Sequence, residues 1–137
     1  MEESALFFVR VQAPVVYVKL VNGLEPKVFV ALEQAYYEAV QDQLLPYATR
    51  WGVVVDLTDF VGYPPAALFS AWKDVLDWSS QHGQVAAAVV GQPESFAISL
   101  EIEKAREGPV VRQYFTDFQA AQAWIWDFLG ANSSTAA

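Results

Sequence analysis

The hydrophobic positions of the chain fall into short runs that alternate between strand and helix periodicity. Two apolar runs, residues 5–11 and 15–21, are separated by three residues and predict an antiparallel hairpin. Pro26 then suits the first turn of a helix. Apolar side chains recur at helical spacing as far as Pro46, which ends the helix because proline has no amide donor.

The middle of the chain predicts a strand, a loop and a second helix. Residues 53–57 are apolar at every position except Asp56, as in a parallel strand that is covered on both faces. A helix is predicted from Pro64 or Pro65 to about Gln81. Gly83 is its expected C-terminal residue, since glycine adopts the left-handed conformation without strain.

The next part of the chain leaves one segment open. Residues 85–90 predict another buried strand, and their three alanines would allow close packing against the sheet. Residues 96–102 alternate like a strand, whereas residues 103–107 favour a helix. The helix is favoured, because parallel strands on either side require a crossover connection.

The chain is expected to end with a strand, a helix and a short tail. Residues 110–115 predict the last strand. Thr116 and Gln119 have capping-box spacing for a helix that runs to Gly130. The predicted fold class is therefore α/β, with a five-stranded mixed sheet and about four helices. One domain over residues 1–130 is expected, followed by a tail at 131–137.

Composition and charge restrict the partners. Hydrophobic residues make up 54% of the chain and aromatic residues 15%, against a usual apolar share of about 45–50%. The net charge is -8, and the pI is about 4.4. Such a chain repels phosphate, so we expect no nucleic-acid partner and at most a peripheral membrane contact that depends on buried apolar area.

Several classes of site and location are disfavoured. Without cysteine the chain has no disulfide and no thiolate site. The first residues, Met1-Glu2-Glu3, do not resemble a secretory signal, and no apolar run approaches the length of a membrane span. We therefore expect a cytoplasmic protein.

The candidate catalytic groups are few. Asp56 and Asp59 stand three residues apart at a strand end, but a hard cation needs more oxygen ligands than two carboxylates provide. Asp56 is better explained as an acceptor for amides of the turn. His82, the only histidine, is expected to be structural or exposed at a helix end. No nucleotide, phosphate-loop or nucleophile motif occurs, so we expect no enzyme, no metal and no cofactor.

Two segments carry a resemblance to a known family. Val53-Val54-Val55-Asp56-Leu57-Thr58-Asp59-Phe60, together with Val111-Arg112-Gln113-Tyr114-Phe115 leading into residues 120–125, resemble the SpoIIAA-like proteins, which are relatives of STAS domains. The resemblance spans nearly the whole chain in pattern. It implies a right-handed superhelix of βα units and a protein that binds partners or ligands without catalysis.

The resemblance also implies two alternative functions. Anti-sigma-factor antagonists of this group carry a phosphorylatable serine just after this strand, whereas residues 61–67 here contain no hydroxyl except that of Tyr63. Other members, whose fold resembles CRAL-TRIO lipid-transfer domains, imply an apolar small molecule, a lipid or a membrane surface as the partner. That function is favoured, and a STAS-type regulatory protein-interaction module is the alternative. The expected binding residues lie at the carboxyl end of the sheet: Asp59, Phe60, Tyr63, Pro64, Leu68 and Phe69.

Some large apolar residues lie outside the inward faces of their predicted helices. They are Val30, Tyr37, Leu44, Trp78 and Trp126. Three explanations remain open: scattered surface or a second core, a dimer or partner interface, and a lipid contact. Tyr37, Trp78 and Trp126 are the candidate interface of a homodimer.

Overall fold

The described part of the computed structural model comprises residues 7–21, 26–60, 66–92 and 110–130, with the side chains of residue 26 and residues 66–71 left aside. It contains five strands, three α-helices and one π-helical turn, so the predicted α/β class with a five-stranded mixed sheet is confirmed. The elements are β1 (Phe7–Gln12), β2 (Val15–Val21), α1 (Pro26–Ala39), the π turn (Val40–Leu44), β3 (Trp51–Asp59), α2 (Ala66–Gln81), β4 (Gln84–Val90), β5 (Val111–Phe115) and α3 (Phe118–Phe128).

The sheet follows the order of the chain, β1-β2-β3-β4-β5. The predicted hairpin is confirmed: β1 pairs antiparallel with β2, and the pairing runs without a break from Phe7 opposite Leu20 to Gln12 opposite Val15. The later pairs are all parallel. The ambiguous segment between β4 and β5 lies outside the described residues, as do the predicted tail and the loop at 61–65.

Apolar side chains on both faces of the sheet form two cores. The core beneath α1 and α2 contains Val16, Val18, Val53 and Val55, and the core beneath α3 contains Val15, Val54, Ala86 and Ala88. Helix α3 lies very close to the sheet. A Cβ on Gly52 would be 2.7 Å from Ile125 Cδ1, so any larger residue would require the Ile125 side chain to move. The small residues of β4 serve the close packing that the sequence predicted.

The π turn corrects one prediction. Leu44 was expected beside the inward face of its helix, yet it is fully buried together with Val40. Residues four apart drift by about 40° around an α-helix, so the three steps from Leu32 through Tyr36 and Val40 would carry Leu44 away from the core. The wider turn, closed by the bond from Leu45 N to Val40 O at 2.9 Å, reverses part of that drift.

The start of α3 corrects another prediction. The capping residue is Asp117, not Thr116, and its carboxylate accepts a hydrogen bond from Ala120 N at 2.9 Å. Aspartate is at least as good an N-cap as threonine. The helix therefore begins one residue later than the capping-box spacing indicated.

The turn from α2 to β4 has the expected glycine. Gly83 has a φ of 110°, and a Cβ there would lie 2.5 Å from Thr49 O. The indole of Trp51 packs beside this turn and donates from Nε1 to His82 O at 2.8 Å. Gly83 thus satisfies both a left-handed backbone and a close approach of the chain.

The contact between α1 and α2 contains a buried polar pair and an acidic pair. The Tyr36 hydroxyl donates to Ser79 Oγ at 2.6 Å, and Ser79 donates to Val75 O at 2.8 Å. Burial raises the pKa of Tyr36, so it stays neutral. Nearby, burial raises the pKa of Glu33, and the negative charge of Asp74 raises it further.

Replacing Glu33 by glutamine should stabilise the protein at pH 7. Because the pKa of Glu33 is higher in the folded than in the unfolded state, its ionisation destabilises the fold as the pH rises past the unfolded value. We expect Glu33→Gln to raise the free energy of unfolding by up to about 1 kcal/mol, since solvent screens a partly exposed charge. Urea unfolding should show this gain at pH 7 and its loss near pH 3. An equal gain at both pH values would show that charge is not the cause.

Candidate functional site

The carboxyl end of β3 is held by the side chain of Asp56. Its Oδ1 accepts hydrogen bonds from Thr58 N at 3.0 Å and from Thr58 Oγ1 at 2.7 Å. This Asx-type arrangement fixes the backbone where the strand leaves the core. The prediction that Asp56 accepts an amide of the turn is confirmed.

Lys19 and Asp59 form an ion pair at the same end of the sheet. Lys19 Nζ lies 3.0 Å from Asp59 Oδ2, and the two side chains are 33% and 59% exposed. The hydrogen bond to Asp59 raises the pKa of Lys19, partly offset by burial, and the charge of Asp56 adds to the increase. The register between β2 and β3 shifts between Lys19 and Val21, which brings the lysine beside both carboxylates.

The predicted ligand-binding residues are only partly described. Phe60 is 8% exposed and belongs to the core beneath α1 and α2. Tyr63 and Pro64 lie outside the described residues. Leu68 and Phe69 belong to α2, but their side chains are not described. Binding of an apolar ligand by these residues therefore stays a prediction.

An open groove of about 200 Å³ begins beside the Lys19–Asp59 pair and runs along β1 and β2 towards the start of α3. Along both strands, alternate residues point into it, so this face of the sheet carries two cations and two aromatic rings, and α3 adds the ring of Phe118. The Arg10 guanidinium lies over the Tyr17 ring, with Cζ 4.4 Å from the ring centroid. The residues that line the groove are Phe8, Arg10, Tyr17, Val18, Lys19, Val54, Asp56 and Phe118.

Tyr17 connects the floor of this groove to α3. Its hydroxyl accepts a hydrogen bond from Trp126 Nε1 at 2.8 Å and donates to Gln122 Oε1 at 3.2 Å. Its ring lies 6.1 Å from that of Phe118. On the far side of Tyr17, a second open depression of about 400 Å³ lies between Gln12 and α3. Two depressions thus lie between the edge strand and the helix.

An enclosed space also lies between α2 and the sheet. Its volume is about 20 Å³, and it is bordered by Tyr36, Trp72, Gln84 and Arg112 among others. A cavity of this size holds about one water molecule. It cannot hold a small organic ligand, whose pockets usually measure about 300–1,000 Å³.

The predicted interface residues make contacts within the chain. The rings of Tyr37 and Trp78 meet edge to face at 4.8 Å, and Trp78 stacks on His82 at 4.3 Å. The Trp126 indole reaches Tyr17, as described above. His82 is exposed and donates from Nδ1 to Trp78 O at 2.7 Å, which agrees with its expected structural role. Whether these rings also contact a second copy stays a prediction.

The described residues contain neither a cluster of metal ligands nor a helix that could span a membrane. In residues 7–21, 26–60, 66–92 and 110–130, no group of three His, Asp or Glu side chains is placed to hold a metal ion. None of the helices described is both long and apolar enough to cross a membrane. The groups at the site are an ion pair, a guanidinium on a ring and an exposed phenyl. Such groups bind charged and apolar surfaces.

The groove along β1 and β2 was not predicted from the sequence. Residues 5–21 indicated only a hairpin. The alternation along the two strands already places Phe8, Arg10, Tyr17 and Lys19 on one face. This signal was available, but the coverage of that face by α3 could not be read from the strands alone.

Comparison with known proteins identifies the fold. A family model described as SpoIIAA-like matches residues 15–126. An anti-sigma factor antagonist from Mycobacterium paratuberculosis is 16% identical and has a TM-score of 0.56, over 87% of this chain and 92% of that one. A DUF3478-family protein with a SpoIIAA-like fold from Shewanella loihica PV-4 is 17% identical, with a TM-score of 0.61 over 91% and 98%. No curated protein matches the sequence.

Removing the Asp56 carboxylate should destabilise the end of β3. Asp56→Ala loses both bonds to Thr58, and we expect the free energy of unfolding to fall by about 1–2 kcal/mol. Thr58→Val loses only the hydroxyl bond and should cost about half as much. Urea unfolding of the single and double variants measures the coupling. If Thr58→Val lowers the free energy of unfolding equally in the wild type and in the Asp56→Ala variant, the two side chains do not interact.

Proposed function

This chain belongs to the SpoIIAA-like family, and we propose that it is a non-catalytic regulatory module that binds a protein partner at the carboxyl end of its sheet. The observation that carries the proposal is the shape of the described site. The groove there is open and bordered by charged groups, whereas the enclosed space under α2 measures only about 20 Å³. An open surface with both charged and apolar groups suits a protein partner better than a small molecule, which usually binds in an enclosed pocket.

The location of the charged groups supports the same proposal. Asp59 is 59% exposed and paired with Lys19, and Asp56 is held by the turn. In open α/β sheets, partners and ligands gather at the carboxyl ends of the strands. An ordered ion pair at that edge offers a partner both signs of charge in fixed positions.

A phosphorylation switch is not part of the proposal. Residues 61–67 contain no serine, and the nearest aliphatic hydroxyl, that of Thr58, already donates to Asp56. A phosphate on Thr58 would bring close to two negative charges next to Asp56 and Asp59. We therefore propose a partner contact that is not switched by a serine kinase, in a cytoplasmic protein.

Site-specific photo-crosslinking tests the proposal. A photoreactive phenylalanine analogue in place of Tyr63, four residues after the end of β3, should trap a discrete protein adduct in cells of the native source. The same analogue at Tyr47, which is 77% exposed and precedes the amino end of β3, is the matched control. No protein adduct at position 63, or equal adducts at both positions, would contradict a partner at the carboxyl end.

Binding of an apolar small molecule is the second candidate function. The observation that favours it is the aromatic lining of the groove, where Phe8 is 57% exposed beside Tyr17 and Phe118. The resemblance to CRAL-TRIO domains, which the comparisons do not show, points the same way. On this proposal, Tyr63, Pro64, Leu68 and Phe69 would complete an apolar surface that Asp59 borders, whereas Phe60 belongs to the core.

Native mass spectrometry and a fluorescence titration test this second candidate. A carrier purified from its native source should retain a small molecule, and micromolar protein should bind a fluorescent fatty acid. Phe8→Ser should weaken the binding several-fold if the groove is the site, whereas Val30→Ser, on an exposed face of α1, should not. Protein that is free of ligand and does not bind the probe would leave the regulatory module as the function.

A further inference from the structure

Within the described part of the chain, strand β1 is an edge whose backbone is paired on one side only. It occupies one end of the five-stranded order, and its pairing with β2 shows no bulge. Its six residues, Phe-Phe-Val-Arg-Val-Gln, contain no proline and a single charged side chain. Proteins usually protect such edges with bulges, prolines, inward charges or a covering element. Among the residues described, none of these devices is present in β1.

The side chains of β1 form a self-complementary pattern. Phe7, Val9 and Val11 face the core beneath α1 and are half-buried, whereas Phe8 and Arg10 face the groove and are exposed. When this strand is placed antiparallel to a copy of itself with Val9 at the centre, positions 7 and 11 oppose each other, as do positions 8 and 10. Aromatic and β-branched side chains then meet on one face, and a cation meets a phenyl ring on the other.

We propose that two copies of the chain pair through β1 in this register and form a continuous sheet across a two-fold axis. Phe7 lies opposite the partner's Val11, and Arg10 lies opposite the partner's Phe8. Directly opposed residues have Cβ atoms about 4.5–5.5 Å apart. Each guanidinium, which already lies on its own Tyr17, would then be enclosed between two aromatic rings. The proposal does not depend on the proposed function.

The neighbouring registers are less favourable. Opposed residues must lie on the same face of the sheet, so the register can shift only by two residues. A shift towards Arg10 would place it opposite the partner's Arg10, which brings like charges together. A shift towards Phe8 would reduce the overlap within β1 to three positions. The register centred on Val9 opposes five positions and avoids both problems.

The contact is small, so the association should be weak and concentration-dependent. Strand pairing over five positions buries much less than the roughly 800 Å² per partner of a standard interface. The net charge of -8 on each chain also opposes association. A dissociation constant on the order of 1–100 µM is expected for contacts of this kind.

Sedimentation velocity with charge-swapped variants tests the interface. The mass of the wild-type protein should rise from 15.2 kDa towards twice that value as the concentration increases. Phe8→Lys places like charges opposite each other, and Arg10→Glu removes the cation from the ring. Each should weaken association at least about tenfold, because a two-fold axis repeats every change. The double variant brings lysine opposite glutamate and should recover most of the loss.

Control variants separate the interface from folding and from other surfaces. Val111→Lys places a charge on β5, the opposite edge of the sheet, at a residue that is 42% exposed, and it should leave association unchanged. Urea unfolding should show that the β1 variants still fold. Phe8→Glu is a further test. Its carboxylate would lie between Lys19, the neighbour of position 8 on β2, and the partner's Arg10, so the dimer should persist.

Three results would overturn the proposal. One is a wild-type protein that stays monomeric at millimolar concentration. Another is a dimer that the double variant weakens as much as the single variants do. The third is a dimer that tolerates all β1 variants but is lost in Trp78→Ala, which would place the interface at the helix aromatics Tyr37, Trp78 and Trp126.

Discussion

The burial of β3 on both faces is the constraint on which the rest of the structure depends. Its residues from Trp51 to Val55 are almost fully buried, and the strand is paired with β2 on one side and β4 on the other. A strand in this position cannot carry a charge until it leaves the core. Asp56 is the first residue to do so, and it is at once bonded to Thr58. Leu57 and Phe60 remain buried in the core beneath α1 and α2, so the candidate site begins where burial ends on the face covered by α3.

The two faces of the sheet are covered to different extents, and this difference creates the groove. The described helices α1 and α2 pack on one face, whereas α3 alone packs on the other, close to β3 and β4. Gly52 and the alanines of β4 allow that close approach, and among the described helices none covers the part of this face that lies beyond Tyr17, towards β1. The polar contacts of Tyr17 with Gln122 and Trp126 mark the boundary. Residues outward of it face the groove.

The sequence predicted the fold well because its signals were local. Apolar runs, Pro26, Gly83 and the alanines of β4 each act over a few residues, and the strands and helices appear in the predicted order. The errors came from effects that periodicity does not express. Leu44 is buried because the helix widens into a π turn, and α3 begins at Phe118 because Asp117 takes the place of Thr116 as the cap. Both depend on the geometry of a single turn.

The candidate site was predicted less well, because a site depends on contacts between distant segments. The sequence indicated the end of β3 and the acceptor role of Asp56, both local features. It did not indicate the pair of Lys19 with Asp59, which requires the register shift between β2 and β3. Nor did it indicate Arg10, whose position on Tyr17 follows from the hairpin register. These contacts join residues 40 and 7 positions apart. A site built from such contacts depends on the relative placement of the strands, so a change of strand register would disrupt it more than a conservative change within the core.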